Sequence, residues 1–307
     1  MKVLFVCSGN HKGDVTIIVK NQAESLKNIG IEIEYFTIKG NGTCGYLKNA
    51  LDLKRFLTKN KYDIVHAHYS MSGFVAGLSG AKPLIVSLMG SDIYSSLPWN
   101  KFIFFFYKFI WDAVIVKSLN LQKYANLKMS HIIPNGVDLL QFKPINKLEA
   151  KLKVGFLTSK KYILFIADPK RKEKNFTLAK EAVGRIKNIN IELFVVSEIS
   201  NSLIPYYMNA ADALLLTSFW EGSVNVVKEA MACNLSIVST DVGDVKENIG
   251  NIIGCYITTY DADDIAEKLK SALSFDKPIN SREKIISLGY DSETIALKIL
   301  NLYNQFI

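Results

Sequence analysis

Short apolar runs alternate with longer amphipathic segments along this chain, and the alternation begins a second time near its middle. Apolar runs typical of strands occupy residues 3–7, 31–38, 63–69, 83–90, 113–118 and 131–138, and then 161–169, 191–197, 209–218 and 235–243. Segments with helical periodicity lie between them, at residues 20–29, 46–59, 176–187, 224–233 and 261–273. Such alternation favours parallel sheets with helices on both faces. The sequence therefore predicts an α/β protein with two sheet-forming halves.

The two halves are joined by a stretch that contains proline and lysine, from Pro134 to about Lys161. The length of 307 residues is sufficient for two domains. We predict a first domain over residues 1–150 and a second over 151–289. Open α/β sheets bind ligands beyond the carboxyl ends of their strands. The expected site is therefore a cleft between the two domains.

The composition gives limited guidance about partners. A formal net charge of +8 suits nucleic acid, an anionic membrane surface or phosphorylated ligands, and does not choose among them. No nucleic-acid-binding motif accompanies the charge, so no nucleic acid is expected. The N-terminus resembles a first strand more than a signal peptide, and no stretch has the length of a membrane span. Four widely spaced cysteines indicate reduced thiols in a cytosolic protein: Cys7, Cys44, Cys233 and Cys255.

One segment, WNKFIFFFYKFIW at residues 99–111, is strongly aromatic and carries Lys101 and Lys108. It suits an interfacial helix that lies on lipid. It equally suits a core helix whose lysines extend to solvent. The sequence leaves both interpretations open.

A second segment, FWEGSVNVVKEAMACNLSIVSTDVGD at residues 219–244, carries two glutamates in an apolar setting. With a helix over residues 224–233, Gly222 and Ser223 precede its first turn, where free backbone N–H groups suit a phosphate or a sugar hydroxyl. Glu221 lies at the same end, and Glu229 lies two turns into the helix. A carboxylate among apolar neighbours needs a partner, and ribose hydroxyls are suitable donors. Glu229 exposed to solvent or paired with a lysine is the alternative.

Four motifs resemble the retaining glycosyltransferases of family four, which have the GT-B fold. The first is EGSVNVVKEAMACN at residues 221–234, followed by an apolar strand and the turn TDVGD. The others are IIPNGVDLLQFKP at 132–144, DIVHAHY at 63–69 and SETIALKILNLYNQF at 292–306. The resemblance covers nearly the whole chain. It implies two Rossmann-like domains that face each other across a cleft, with a C-terminal helix at about 290–307 that completes the first domain.

The resemblance also implies roles for matching donor-side residues. Glu221 would contact the donor sugar, Glu229 would bind the ribose, and Lys174 with Arg171 would hold the diphosphate, since cations neutralise the charge on the departing group. The family's arginine normally lies five residues before the lysine, where this chain has Pro169, so Arg171 is the nearest substitute. The backbone would contribute to donor binding through Gly13, Gly222, Ser223, Val224, Asn225 and Val226.

On the acceptor side, the resemblance implicates His68, Gly90, Ser91 and Asp92. The family often has H-G-x-D after the fourth strand, and this chain has Met89 in the position of that histidine. A thioether cannot donate a polar hydrogen bond. The departure leaves open a non-catalytic GT-B partner of another transferase as the alternative function.

The resemblance therefore predicts a retaining glycosyltransferase of EC class 2.4 that uses a nucleoside diphosphate sugar. The family implies no divalent metal, no other cofactor and no settled protein nucleophile. A glycan or lipid-linked acceptor of bacterial surface polysaccharide or glycolipid assembly is the expected partner. The expected location is the cytoplasm, with possible peripheral contact with anionic lipid on the inner face of the cell membrane.

Overall fold

A computed structural model describes residues 1–9, 15–40, 42–94, 100–187 and 190–307, apart from the side chain of Thr43. The chain divides into two compact units, residues 1–136 with 292–307, and residues 137–291. The division falls earlier than the predicted residue 150 because the segment after Gly136 packs on the second unit. There the Arg282 guanidinium donates to the carbonyl oxygens of Leu139 and Phe142, at 2.8 and 2.6 Å.

The first unit is built on a parallel sheet. Its described strands follow the order β2-β1-β3-β4-β5-β6. The strands are β1 (Lys2–Ser8), β2 (Glu32–Ile38), β3 (Ile64–His68), β4 (Leu84–Leu88), β5 (Ala113–Val116) and β6 (His131–Ile132). The helices between them are α1 (Ile17–Asn28), α2 (Gly42–Lys59), α3 (Ser70–Leu78), α4 (Ser91–Tyr94), α5 (Asn100–Phe109) and α6 (Leu119–Tyr124).

The second unit has a parallel sheet of its own, in the order β11-β10-β9-β7-β8. The described strands are β7 (Lys161–Phe165), β8 (Ile191–Val195), β9 (Ala213–Leu216), β10 (Ile237–Thr240) and β11 (Tyr256–Thr258). The helices are α7 (Lys147–Val154), α8 (Phe176–Gly184), α9 (Ile204–Ala210), α10 (Asn225–Ala232), α11 (Val245–Ile249), α12 (Ala262–Ser274) and α13 (Ser281–Ser287), with 3₁₀ turns at Lys172–Lys174 and Asn201–Leu203. The predicted α/β class with two parallel sheets is confirmed.

The last helix, α14 (Ser292–Tyr303), belongs to the first unit, where it packs on α1. Its Tyr303 is fully buried, and the hydroxyl group lies 2.6 Å from Nδ1 of His66 on β3. The chain's end therefore contributes to the core of the unit in which the chain begins. Among the described residues, no helix has both the length and the apolar character that crossing a bilayer requires.

The strand order of the second unit determines which loops meet. Strand β9 lies between β7 and β10, and all three run in the same direction. The loops after these strands therefore emerge at the same edge of the sheet, although they are far apart in sequence. Apart from Gly13, the predicted donor-side residues lie in these loops and in α10.

Candidate functional site

An ion pair between Lys174 and Glu221 joins the loops that follow β7 and β9. Lys174 ends the 3₁₀ turn that follows β7, and Glu221 lies in the loop after β9. The two side chains are only 12% and 16% exposed, and the Ser218 hydroxyl donates to the same carboxylate at 2.8 Å. Two residues that the resemblance implicated separately are therefore in direct contact.

The backbone of the two loops is fixed by further hydrogen bonds. The Thr217 hydroxyl lies 2.9 and 3.0 Å from the carbonyl oxygens of Lys174 and Asn175. The Phe219 N–H donates to the carbonyl of Glu173 at 2.9 Å. The ion pair is thus held by the backbone on both sides, which favours a pre-organised arrangement.

The turn after β10 presses on the Glu221 loop at Gly243. This residue has φ of +58°, and a Cβ atom there would lie 3.0 Å from the carbonyl oxygen of Gly222 and 3.3 Å from Cβ of Glu221. Both the backbone conformation and the close approach require glycine. Gly222 itself is buried beneath this contact.

A buried charge network lies at the start of α10, and sequence reasoning missed it. Lys228 is fully buried and pairs with Asp244 at 3.4 Å, and its ammonium also donates to the Ser223 hydroxyl. Asp244 accepts hydrogen bonds from the Ser223 hydroxyl at 2.6 Å and from the Val224 N–H at 3.0 Å. Burial lowers the pKa of Lys228, and Asp244 opposes that shift. The only available sequence signal was Asp244 in TDVGD, where the family motif ends in glycine.

This network alters the expected donor contacts. The Val224 amide is committed to Asp244, so it is not available to a donor phosphate in this arrangement. Asn225 and Val226 form the first turn of α10, and both are half-buried. In this structure the Val224 N–H thus holds the start of α10. Donor binding by the backbone from Gly222 to Val226 stays a prediction.

Glu229 is half-buried on α10, next to the buried Lys228. Burial raises the pKa of its carboxyl group from 4.5 to about 7, and the neighbouring ammonium partly opposes the rise. A carboxylate in this position is poorly solvated, so a ligand that donates hydrogen bonds would stabilise it. The ion pair that Lys228 forms is with Asp244 and not with its neighbour Glu229.

Arg171 does not join the Lys174–Glu221 pair. Its guanidinium pairs with Glu173 at 2.6–2.7 Å, and its side chain is exposed. The cation that the structure places beside Glu221 is Lys174. Gly13, the other residue expected near the diphosphate, lies outside the described residues.

On the first unit, Asp92 is buried, and its side chain accepts hydrogen bonds from the backbone. Its carboxylate accepts hydrogen bonds from the N–H groups of Ser70, Met89 and Gly90, at 3.0, 3.1 and 2.9 Å. Burial raises the pKa of Asp92 to about 6, and these bonds oppose the rise. Asp92 therefore ties the start of α3 to the loop after β4, and it fixes Gly90, which has φ of +112°. Ser91, the first residue of α4, is half-buried beside this tie.

His68 is buried at the end of β3, and neither ring nitrogen has a hydrogen-bond partner among the described residues. Its ring contacts those of His66 and Phe5, with centroids 4.3 and 4.4 Å away. Burial and the buried Lys117 lower the pKa of His68 to about 3, so its imidazole is neutral near pH 7. His66 and Lys117 were not among the predicted residues.

The described residues include no group of three or more His, Cys, Asp or Glu side chains that are arranged to hold a metal ion. On the second unit, the described candidates for ligand binding are one cation, two carboxylates and a helix start: Lys174, Glu221, Glu229 and the first turn of α10.

The architecture is that of the GT-B glycosyltransferases. The sucrose-phosphate synthase of Thermosynechococcus elongatus superposes with a TM-score of 0.80 at 17% identity, covering 99% of this chain and 98% of that chain. Anabaena HepE, solved in complex with UDP, superposes with a TM-score of 0.79 at 16% identity, covering 99% of this chain and all of the other. At this level of identity the similarity concerns the fold.

Family models identify both parts of the sequence. Residues 8–127 match the model described as "Glycosyl transferase 4-like", and residues 158–291 match "Glycosyl transferases group 1". The chain belongs to the group 1 glycosyltransferases, a family of sugar-transferring enzymes of EC class 2.4. The family resemblance expected from the motifs is confirmed.

Two curated relatives are bacterial glycosyltransferases. The putative teichuronic acid biosynthesis glycosyltransferase TuaC of Bacillus subtilis is 25% identical over 71% of this chain, and the match spans 63% of that protein. The UDP-Gal:alpha-D-GlcNAc-diphosphoundecaprenol alpha-1,3-galactosyltransferase of Escherichia coli is 26% identical over 85% of this chain and 80% of its own length. The chain thus spans under two thirds of the first relative and four fifths of the second.

Proposed function

We propose that this chain transfers a sugar from a nucleoside diphosphate sugar to a hydroxyl group of a glycan or lipid-linked acceptor, with retention at the anomeric carbon. The observation that carries the proposal is the Lys174–Glu221 ion pair beside the start of α10. The complexes of Anabaena HepE with UDP and with UDP-glucose, and the lipid diphosphate in the name of the Escherichia coli relative, support this choice of substrates.

The proposed chemistry assigns a separate task to each charge. The Lys174 ammonium would neutralise the diphosphate as it leaves, because a fixed cation in a poorly solvated site stabilises developing negative charge. Glu221 would accept hydrogen bonds from sugar hydroxyls, and Glu229 would accept them from the ribose. We assign no protein nucleophile, and we propose that transfer proceeds without a divalent metal.

The acceptor and the location are also part of the proposal. The acceptor would be a bacterial surface polysaccharide or a glycolipid intermediate, and the protein would work in the cytoplasm at the inner face of the cell membrane. His68, Gly90 and Ser91 would lie on the acceptor side, with Asp92 as the residue that positions the loop.

Donor turnover tests the proposal. The purified protein is incubated with UDP-, GDP- and ADP-sugars, and the release of nucleoside diphosphate is measured with and without EDTA. We expect release from one donor, insensitive to EDTA, that is lost in Lys174→Ala and Glu229→Ala. Lys172→Ala is the matched control, because Lys172 is an exposed lysine in the same 3₁₀ turn.

The same experiment separates the alternative function. Release from no donor, combined with no thermal shift by any nucleotide, would refute the transferase and favour a non-catalytic partner subunit. Such a result would implicate Met89, which occupies the position of the family's histidine. The anomeric configuration of the product, read by NMR, would contradict retention if it were inverted.

A further inference from the structure

Helix α5 exposes a row of phenylalanines that the core of its unit does not use. Ile103 and Phe106 are buried, and the Phe106 ring packs on Phe74 of α3 with centroids 4.7 Å apart. On the outward side, Phe102, Phe105 and Phe109 are 55%, 51% and 66% exposed. Their spacing of three and four residues places them on one face of the helix.

The helix cannot bury this row by a small rotation, because its inner face already fits the unit closely. A Cβ atom at Gly77 of α3 would lie 3.0 Å from the Phe106 ring and 2.9 Å from Ile110. The outer rings instead contact each other, with the centroids of Phe105 and Phe109 5.2 Å apart. Contiguous exposed aromatic surface of this kind marks an interaction site.

Further exposed apolar side chains lie on another flank of α5 and on the loop after α6. Phe104 is partly exposed, and its ring lies 6.1 Å from that of Tyr107. The Tyr107 hydroxyl accepts a hydrogen bond from the N–H of Met129 at 2.8 Å. The Met129 side chain is almost fully exposed, and Lys128 beside it is exposed as well.

The charged residues of α5 have one sign. Lys101 and Lys108 lie seven residues apart, so they line the same flank of α5, and both are exposed. The Lys108 ammonium lies 5.4 Å from the centre of the Phe109 ring. Residues Asn100–Phe109 contain no aspartate or glutamate. Aromatic rings edged by lysines suit the boundary between the headgroups and acyl chains of an anionic bilayer.

We propose that α5 docks this chain on an anionic lipid bilayer, with Phe102, Phe105 and Phe109 inserted and with Lys101 and Lys108 at the headgroup phosphates. A second copy of the chain fits less well, because a symmetric contact along α5 would bring lysines together without a carboxylate on the helix to pair them. The inference deepens the proposed function, on which it rests for the lipid-linked acceptor, but binding and turnover test the two separately.

Vesicle sedimentation is the direct experiment. Wild-type protein is mixed with vesicles of phosphatidylcholine alone or with phosphatidylglycerol added, and the partition coefficient is measured at low and high salt. We expect clear binding to the anionic vesicles that weakens with salt. The triple variant F102S/F105S/F109S should lose at least about tenfold in binding, because each ring contributes its buried apolar area.

The lysines give a second, independent prediction. K101Q/K108Q should bind anionic vesicles roughly tenfold or more weakly and neutral vesicles unchanged, because each lysine near such a surface contributes about fivefold. Two control variants change similar side chains on the second unit. L140S/L152S/L157S removes three exposed leucines, and K180Q/K270Q removes two exposed lysines. Neither control should change vesicle binding.

Several outcomes would overturn the inference. Equal vesicle binding by wild type and by the phenylalanine variant, with both folded by circular dichroism, would exclude this face. Absent vesicle binding, with a dimer in sedimentation velocity that the variant abolishes, would assign the face to a second copy. Nucleotide release without vesicles is recorded in parallel. If release is absent while vesicle binding behaves as expected, the proposed function fails and the docking surface stands.

Discussion

Replacing Glu229 with glutamine should stabilise the unliganded protein at alkaline pH and weaken the binding of its donor. Burial raises the pKa of this carboxyl group from 4.5 to about 7. A carboxyl whose pKa is higher in the folded protein than in the unfolded chain binds its proton more tightly when folded. Its contribution to stability is therefore present at low pH and is lost as pH rises from about 4.5 through about 7.

The size of the effect follows from the two pKa values. Their separation corresponds to an unfavourable free energy of about 3 kcal/mol at pH 8 and about half of that at pH 5.5. Glutamine has no charge to desolvate. The stability of Glu229→Gln relative to wild type should therefore increase by about 2 kcal/mol between pH 5.5 and pH 8. Any constant contribution of the new amide cancels in this difference.

Donor binding should respond in the opposite direction. Ribose hydroxyls that donate to Glu229 would favour its charged form, so wild type should bind a nucleoside diphosphate sugar more tightly at pH 8 than at pH 6, by up to about tenfold. Below pH 7, binding should release a proton. The glutamine variant should bind more weakly at pH 8 and show neither the pH dependence nor the proton release.

Urea unfolding at pH 5.5 and pH 8, followed by circular dichroism, measures the first part. Titration calorimetry of an intact donor sugar at pH 6 and pH 8, in two buffers of different ionisation enthalpy, measures the second. Glu267→Gln is the control, because Glu267 is an exposed glutamate on α12. An unchanged stability difference between the two pH values would refute the burial argument. Unchanged donor affinity would refute the ribose contact.

Three further changes test the framework of both units. Lys228→Met should lower the free energy of unfolding by about 3–5 kcal/mol, because it leaves the buried Asp244 without its cation. The double variant with Asp244→Asn should lose less stability. Urea unfolding of wild type, both single variants and the double variant checks this. Gly243→Ala should lose roughly 1–2 kcal/mol through its left-handed backbone, and also reduce donor affinity in calorimetry, while Gly184→Ala, with open space around it, should not. Between pH 7 and pH 5, wild type should lose about 2 kcal/mol of stability through His68, because the buried imidazole has a lowered pKa and stays neutral while the unfolded chain binds a proton. His68→Leu should not show this loss.

The sequence predicted the class of fold because its signals are local. Period-two and unbroken apolar runs predicted the strands of both sheets except β11, and the EG…EAMA segment predicted α10 with its preceding loop. The close pairing of Lys174 with Glu221 follows from the order of β7 and β9 in the sheet. Adjacent strands in a parallel sheet need not be adjacent in sequence, so periodicity alone does not give this contact.

The buried Lys228 shows where local reasoning fails. Within VVKEAMA, the sequence indicated Glu229 as the charge in an apolar setting, yet the fully buried charge is the neighbouring Lys228. Its partner Asp244 lies in a turn after a different strand, and the Tyr290 ring, 5.4 Å from the ammonium, lies further still along the chain. Burial of a charge depends on neighbours from several elements, so no single window of sequence indicates it.

In helix α5, the sequence indicated the apolar residues but not which of them are buried. The sequence allowed both a core helix and an interfacial helix at residues 99–111, and α5 has both a buried face and an exposed aromatic face. Ile103 and Phe106 face the core, while Phe102, Phe105 and Phe109 face solvent. When large apolar side chains occur on both the buried and the exposed sides of a helix, the sequence does not show which of them the core covers. Only the packing against α3 determines which side is buried.

The Lys174–Glu221 pair suggests how a donor site of this kind can favour the intact donor over its product. In the unliganded chain the two charges compensate each other, and removing either partner from a poorly solvated pair is unfavourable. Under the proposed function, a nucleoside diphosphate sugar separates the pair and compensates both charges, since its phosphates accept from Lys174 and its sugar hydroxyls donate to Glu221. A nucleoside diphosphate without the sugar compensates Lys174 alone and leaves Glu221 without a cation or a donor from the ligand. Because binding the product then lacks one of the two compensating contacts, the same ion pair that organises the site also favours product release.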